Sequence, residues 1–277
     1  MTQSLIIMAA GRARRYGGVK PLAPVGLNGE AVIDLIASDA VAGGFTEIVV
    51  VINSETGPLI AEHIKGHWPA RVNVRFAVQE RPLGTVHAVL QARHLLDHSQ
   101  SFGVANADDL YGRPAMLTLG EHVRKMGTNA LIGFRLDHVL VGDLPVTRGV
   151  CDVHEGFLRR IAERRNVQLT SEGFVSTDGI EPRTLSADTR VSMNLWAFES
   201  AMWEVFESAM MAANASEDSE VLLPDIIGGL LVRNDAAFAV LPSGSRCVGV
   251  THASDLGLVQ RDIRDQVARG ERPATTF

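Results

Sequence analysis

Leu5-Ile6-Ile7-Met8-Ala9-Ala10-Gly11-Arg12-Ala13-Arg14-Arg15-Tyr16-Gly17-Gly18-Val19-Lys20-Pro21 is the stretch from which the rest of the chain is best read. An apolar run of strand length, 4–8, passes into two alanines and a glycine, where small side chains let the backbone turn sharply and present N–H groups to an anion. Cations follow. Arg15 and Lys20 carry fixed positive charge onto that turn, as a triphosphate requires when its α-phosphorus is attacked and negative charge builds on the departing pyrophosphate. The loop lacks the Gly-Lys-Ser/Thr of a Walker sequence and the three spaced glycines of a dinucleotide fingerprint, so ordinary ATPase and dinucleotide-binding readings lose weight.

Outward from this strand, short continuous apolar runs recur at 47–52, 72–78, 102–105, 130–134, 191–198 and 238–241, as expected of strands buried on both faces. Helical patterns fill 31–43, 56–66, 85–97 and 113–125, each long enough for a crossover. Strand alternating with helix predicts an α/β fold: a three-layer α/β/α, Rossmann-like arrangement around a mixed, mostly parallel sheet. The rhythm changes after about residue 135. The segment 137–189, with Gly142, Pro145, Gly149, Gly156, Gly173, Gly179 and Pro182, suits antiparallel hairpins and predicts a β-rich insertion in the second half, covering one sheet edge. The segment 195–213 is helical in its C-terminal half, and 254–269 reads as a closing helix with Ser254 as N-cap, Asp255 at its acidic start and Gly270 just past its end. No linker divides the 277 residues, which read as a single domain.

Composition excludes several classes. Apolar residues make up 46% and charged residues 21%, the balance of a folded globular chain. With 26 Lys+Arg against 32 Asp+Glu, the net charge of −6 gives no general attraction to nucleic acid or to an anionic membrane. No apolar run approaches the roughly eighteen residues of a membrane span. Arg12, Arg14 and Arg15 follow the first apolar stretch rather than precede it, the reverse of a secretory signal. Two cysteines suit a reducing compartment, so the expected location is cytoplasmic.

Two further segments carry chemistry. In Gln79-Glu80-Arg81-Pro82-Leu83-Gly84-Thr85, a glutamine amide can pair with a donor and an acceptor on a base edge, and Gly84 lets a ring lie against the backbone where a helix begins. In Phe102-Gly103-Val104-Ala105-Asn106-Ala107-Asp108-Asp109-Leu110-Tyr111-Gly112, a strand ends in paired carboxylates. Ligands of open α/β sheets gather at such ends, and Mg²⁺ takes one or two carboxylates plus phosphate oxygens, so Asp108 is the expected metal ligand.

Taken in this order, the segments resemble the sugar-1-phosphate nucleotidyltransferases of GT-A-like fold, whose first strand runs into Ala-Ala-Gly-x-Gly-x-Arg and later Lys-Pro. Ala9-Ala10-Gly11, Arg15 and Lys20-Pro21 match, whereas Ala13 stands at the second glycine and Arg14 at the usual Ser or Thr. The resemblance implies nucleotide contact at Ala9, Ala10, Gly11, Gln79, Gly84 and Thr85, catalytic cations at Arg15 and Lys20, and Mg²⁺ on Asp108 with Asp109 behind it or bridged by water. It further implies a nucleotide-binding half, 1–135, and a sugar-binding half with the C-terminal helix, 136–277. There Glu163 meets sugar hydroxyls, Arg164 takes the place of a phosphate-contacting Lys, Asn194, placed before a strand, binds the sugar, and Gly149 offers it backbone. The family's second metal aspartate would fall at Gly249, a departure from the pattern. The nearest subgroup shares the Gly-Gly-x-Lys loop, the turn at 24–30 and the Gly-Val-Thr ending; it implies a reaction class but no particular sugar.

The expected activity is transfer of a nucleoside monophosphate from UTP or dTTP to a sugar 1-phosphate, with Mg²⁺ as cofactor and pyrophosphate released. Its partners are then a nucleoside triphosphate and a sugar 1-phosphate, with no nucleic acid and no membrane; no oligomeric state follows. Two alternatives remain: a cytidylyltransferase acting on a phosphorylated alcohol, and a non-catalytic subunit that senses nucleotide sugars. His94 and His98, four apart near the end of a predicted helix, read as a solvated face, and Cys151 and Cys247 as buried small side chains. Asp143, Asp225 and Glu220 read as loop or cap residues.

Overall fold

A computed structural model describes residues 2–11, 17–125, 127–139, 145–213, 220–250 and 255–277. Arg12, Ala13, Arg14, Arg15, Gly142, Asp143 and Ser254, all singled out above, lie outside the described residues.

The apolar runs become strands: β1 (Ser4–Met8), β2 (Glu47–Ile52), β3 (Val74–Val78), β4 (Phe102–Asn106), the short β5 (Asp109–Leu110) and β6 (Ala130–Arg135). Between them run α1 (Val32–Ala42), α2 (Gly57–His67), α3 (Thr85–Gln91) and α4 (Arg113–Lys125). The second half supplies β7 (Val146–His154), β8 (Phe157–Thr170), β9 (Gly173–Ser176), β10 (Thr184–Leu185) and β11 (Arg190–Phe198). After these come α5 (Met202–Ala213), α6 (Leu223–Arg233), β12 (Ala239–Pro242), β13 (Val248–Gly249) and α7 (Leu256–Ala268).

Among the described residues eleven strands form one mixed sheet in the order β10-β9-β8-β12-β6-β11-β4-β1-β2-β3, with β7 pairing β11 and β8. β3, β2, β1 and β4 are parallel neighbours, as βαβ crossovers require. β11 runs antiparallel between β4 and β6, and β12 lies parallel to β6. The glycine-rich segment β7 to β10 pairs antiparallel throughout and prolongs the sheet, rather than lying over its edge. Parallel pairing is therefore concentrated in the first half. A separate two-stranded ribbon pairs β13 with β5.

Alternation along β1 divides the core. Leu5 and Ile7 pack with Ile33 of α1, Leu119 of α4 and Ile263 of α7, whereas Ile6 packs with Val89 of α3, Phe206 of α5 and Ile227 of α6. Successive strand residues face opposite sides, so the sheet buries an apolar cluster on each face. Phe102 stacks on Trp203 at 4.1 Å in the second cluster. At the chain's end, Arg272 pairs with the buried Asp39 of α1, and the N–H of Phe277 donates to Ser38 at 3.1 Å. No helix among the described residues is long and apolar enough to cross a membrane.

Candidate active site

Parallel register brings the strand ends level. Met8 of β1 lies opposite Val51 of β2 and Asn106 of β4, so the segments following β1 and β4 emerge side by side. The backbone fixes them there: Ala9 N–H donates to Val51 O at 2.8 Å, and Ala107 N–H to Met8 O at 3.1 Å. Gln79, immediately after β3, is held by its N–H to Ile52 O at 2.8 Å. These ends border a cleft of about 540 Å³ lined by Ala10, Gly11, Gln79, Gly84, Thr85, Asp108 and Asn194, among others. A smaller recess of about 110 Å³ adjoins it, bounded by Ala9, Gly11, Lys20 and Asp108.

Lys20 opens a single 3₁₀ turn, Lys20–Leu22, and its Nζ sits 3.4 Å from Asp108 Oδ2. Their side chains are 17% and 38% exposed, and both border the recess. Behind them Asp109 accepts from Asn106 Nδ2 at 2.8 Å, and burial, together with the neighbouring Asp108 carboxylate, pushes it up to about 6. Gly249 of β13 pairs directly with Asp109, and a Cβ on Gly249 would lie 2.5 Å from Asp109 Oδ1. The space a side chain at 249 would occupy is taken by the Asp109 carboxylate, so a larger residue there would push that carboxylate aside.

On the opposite wall Gly84 adopts φ +94°, and any Cβ would fall on the backbone of Val221. Only glycine fits, because the conformation is left-handed and the space is taken. Val221 N–H donates to Leu83 O at 2.9 Å, and Thr85 Oγ1 accepts from Leu223 N–H at 2.8 Å, fastening the start of α3 to the start of α6. Thr85 thus has a structural bond as well as a place on the cleft.

The sugar-side residues part company. β11 bulges between Ser192 and Trp196, and Asn194 takes φ +57° within the bulge, turned onto the cleft. The bulge is held from below by Tyr111, whose hydroxyl donates to Met193 O at 3.1 Å and accepts from Asn106 N–H at 2.7 Å. Gly149 lies on β7 opposite Ser192, and Glu163 on β8 opposite Gly149, one and two strands away; neither lines the cleft. Arg164 is a correction to the expectation. Its guanidinium is buried against Asp178 at 2.8 Å and bonds Ile180 O and Pro182 O, so its donors are spent inside the hairpin rather than offered to a phosphate. That bonding holds the Asp178 carboxyl well below the ordinary carboxylate range.

Tyr111 and His87 were given no role from sequence, and Glu220, read there as a loop or cap residue, lines the cleft. Tyr111 stood inside the aspartate segment, and its apolar neighbours gave no sign that its hydroxyl spans two strands. His94 and His98 do not share a helix: α3 ends at Gln91, and an Asp97–Ser99 turn follows, with Ser99 N–H donating to Asp97 at 3.0 Å. Cys151 and Cys247 are buried free thiols, and burial pushes Cys151 up to about 12.

Residues 4–138 match the family described as nucleotidyl transferase. The bifunctional protein GlmU of Burkholderia mallei and that of Burkholderia thailandensis are each 36% identical over 114 residues, 41% of this chain and 24% of theirs. The chain spans about a quarter of the length of these curated relatives. A Bacillus anthracis protein assigned as a glucose-1-phosphate thymidylyltransferase, solved with sucrose, superposes with a TM-score of 0.70 at 14% identity, over 95% of this chain and 96% of that one. The inositol-1-phosphate CTP transferase from T. maritima gives 0.67 at 13%, over 95% and 97%. At these identities the likeness is one of fold.

Proposed function

We propose that the protein, whose residues 4–138 match the nucleotidyl transferase family, is a nucleotidyltransferase that moves a nucleoside monophosphate from UTP or dTTP to a sugar 1-phosphate, releasing pyrophosphate. One observation carries this reading: Gly11, Gln79, Gly84, Asp108 and Asn194, from four separate stretches of chain, border one cleft at the carboxyl ends of the strands. In the proposed mode the turn at Ala9, Ala10 and Gly11 receives the phosphates, Gln79 and Gly84 receive the base, and Asn194 faces the acceptor. The division into a nucleotide half, 1–135, and a sugar half, 136–277, belongs to this reading, as does the Rossmann-like three-layer description, supported by the apolar cluster on each sheet face. A cytoplasmic location goes with it, supported by two buried free thiols.

The donor set fits Mg²⁺. Asp108 is a carboxylate open to the recess, and this ion is commonly held by one or two carboxylates with substrate phosphates completing its shell. Asp108 would hold it, and the ion would supply charge neutralisation at the phosphates. The chain's own contribution is orientation and charge: acceptor and donor held in line within the cleft, with the Lys20 ammonium beside the leaving phosphates. No protein nucleophile is needed.

A pyrophosphate-release screen of UTP, dTTP, CTP, ATP and GTP against hexose 1-phosphates with Mg²⁺ tests the proposal, with CTP also paired with phosphorylated alcohols. Release with UTP or dTTP and a hexose 1-phosphate is the expected result. Release only with CTP and a phosphorylated alcohol would move the acceptor class, and nucleotide binding without release from any pair would point to a sensing subunit.

A further inference from the structure

The bulge in β11 holds Asn194 by its backbone from both sides. Its N–H donates to Ser192 Oγ at 3.2 Å, and the carbonyl before it, Met193 O, accepts from the Tyr111 hydroxyl at 3.1 Å. With φ at +57°, a left-handed conformation that asparagine tolerates better than most residues, only the side-chain torsions remain to be set. Trp196 sets them. Its indole Nε1 lies 3.2 Å from the Asn194 side-chain oxygen, Oδ1. An indole N–H can only donate and has no second tautomer, so the atom it meets is the amide oxygen; the reverse orientation would set two donors against each other. Trp196 is fully buried beside Phe198 and Phe238, so turning the amide over would strand its N–H away from water.

With Oδ1 engaged, Asn194 has its Nδ2 left. Among the described residues nothing accepts from Nδ2, and this atom is not sealed from solvent, while the residue borders the cleft that Trp196 does not reach. We infer that Trp196 is a positioning residue that makes the Asn194 side chain a pure hydrogen-bond donor towards the cleft, so that the substrate group seated against it is an oxygen with a lone pair to give. A sugar hydroxyl or a phosphate oxygen meets that requirement; an ammonium group, with donors only, does not. This rests on the proposed nucleotidyl-transfer site and narrows the sugar-phosphate substrate it takes.

The test is steady-state pyrophosphate release at saturating UTP or dTTP with Mg²⁺, varying the hexose 1-phosphate that the wild type turns over fastest. The variants are Trp196→Phe, which keeps a ring in the core and deletes the N–H, Asn194→Ala, Asn194→Asp, and Trp196→Phe combined with Asn194→Ala, each confirmed as folded by its thermal transition. Asn194→Ala is expected to raise the sugar-phosphate KM by about tenfold, the scale of one net hydrogen bond. Trp196→Phe, where the amide is free to turn over, is expected to raise KM by about threefold with kcat within about twofold, and to add nothing once Asn194 is alanine. Asn194→Asp keeps an oxygen for Trp196 but turns a second oxygen to the cleft, and should raise KM beyond Asn194→Ala; it leaves the core untouched and decides the orientation even if Trp196→Phe does not fold. A KM unchanged in Trp196→Phe, an equal rise from Trp196→Phe with and without Asn194, or a wild-type KM in Asn194→Asp would overturn the role of Trp196 while leaving nucleotidyl transfer standing. Failure of the wild type to release pyrophosphate from UTP or dTTP with any hexose 1-phosphate would instead remove the reading on which it rests.

Discussion

Lys20 and Asp108 stand 3.4 Å apart with no strand or helix between them, each brought to the recess by a different segment, and both side chains are accessible from it. Removing the ammonium leaves the carboxylate and, in the proposed reaction, takes away a fixed charge beside the phosphates. Lys20→Ala should therefore lower the rate of pyrophosphate release by about 10²–10³, corresponding to roughly 2.7–4 kcal/mol, with the fold intact. Unchanged turnover would take Lys20 out of the chemistry. That these two would meet was legible because their types and order resemble a family in which both stand at one site. Arg164 was not: within Glu163-Arg164-Arg165 it resembled any cation on a strand, and its partner Asp178 lies fourteen residues on, beyond β8 and β9. Because Arg164 hydrogen bonding lowers the folded-state pKa of Asp178, the pair's stabilisation is present above the unfolded carboxylate value of about 3.9 and is lost as pH falls through the lower folded value. Asp178→Asn should thus be less stable than the wild type at neutral pH and less sensitive to acidification below about pH 4. Urea midpoints at a series of pH values measure this, and parallel curves for the two proteins would refute it.

Among the elements, α6 depends on a bond from outside itself. Leu223 N–H, at its first residue, donates to Thr85 Oγ1, so Thr85 serves as a cap supplied by α3. Thr85→Val keeps the shape and deletes the acceptor, and should cost about 0.5–2 kcal/mol, the range found for lost N-caps. Chemical denaturation gives the number; a cost near zero would show that water or a local turn satisfies the N–H instead. Gly84→Ala combines a left-handed φ with a collision on Val221, and should cost about 1–3 kcal/mol or displace the start of α6 from the cleft. Its unfolding curve, compared with that of Thr85→Val, separates backbone strain from the missing cap. Strands β1 and β2 and helix α4 follow their expected limits because apolar periodicity and burial coincide in them. α6 escaped notice because Gly228 and Gly229 sit in its middle and weaken any local helical signal. Its formation is decided by Ile227 and Leu230 packing into the cluster with Phe206 and Phe238, contacts that no local window contains.

At the scale of the whole molecule, the two halves of the chain are interleaved rather than abutted. β4 and β6 both come from the first half, yet neither bonds the other; β11, from the second half, lies between them and carries Asn194 in its bulge. Alternation of apolar runs made the α/β class readable, whereas the insertion of a late strand into an early sheet leaves no mark on β4 or β6, whose apolar runs are the same whichever neighbour they bond. The family match at 4–138 is consequently not a self-sufficient piece. Expressed alone, residues 1–138 would leave β4 and β6 with open edges and should aggregate. Supplied with 139–277 as a second polypeptide, the same fragment should recover solubility and nucleotide binding by accepting β11 into the gap. The protein is in this sense a split reporter waiting to be cut: reassembly of the two pieces would be scored by the return of the ligand site itself, with no added tag.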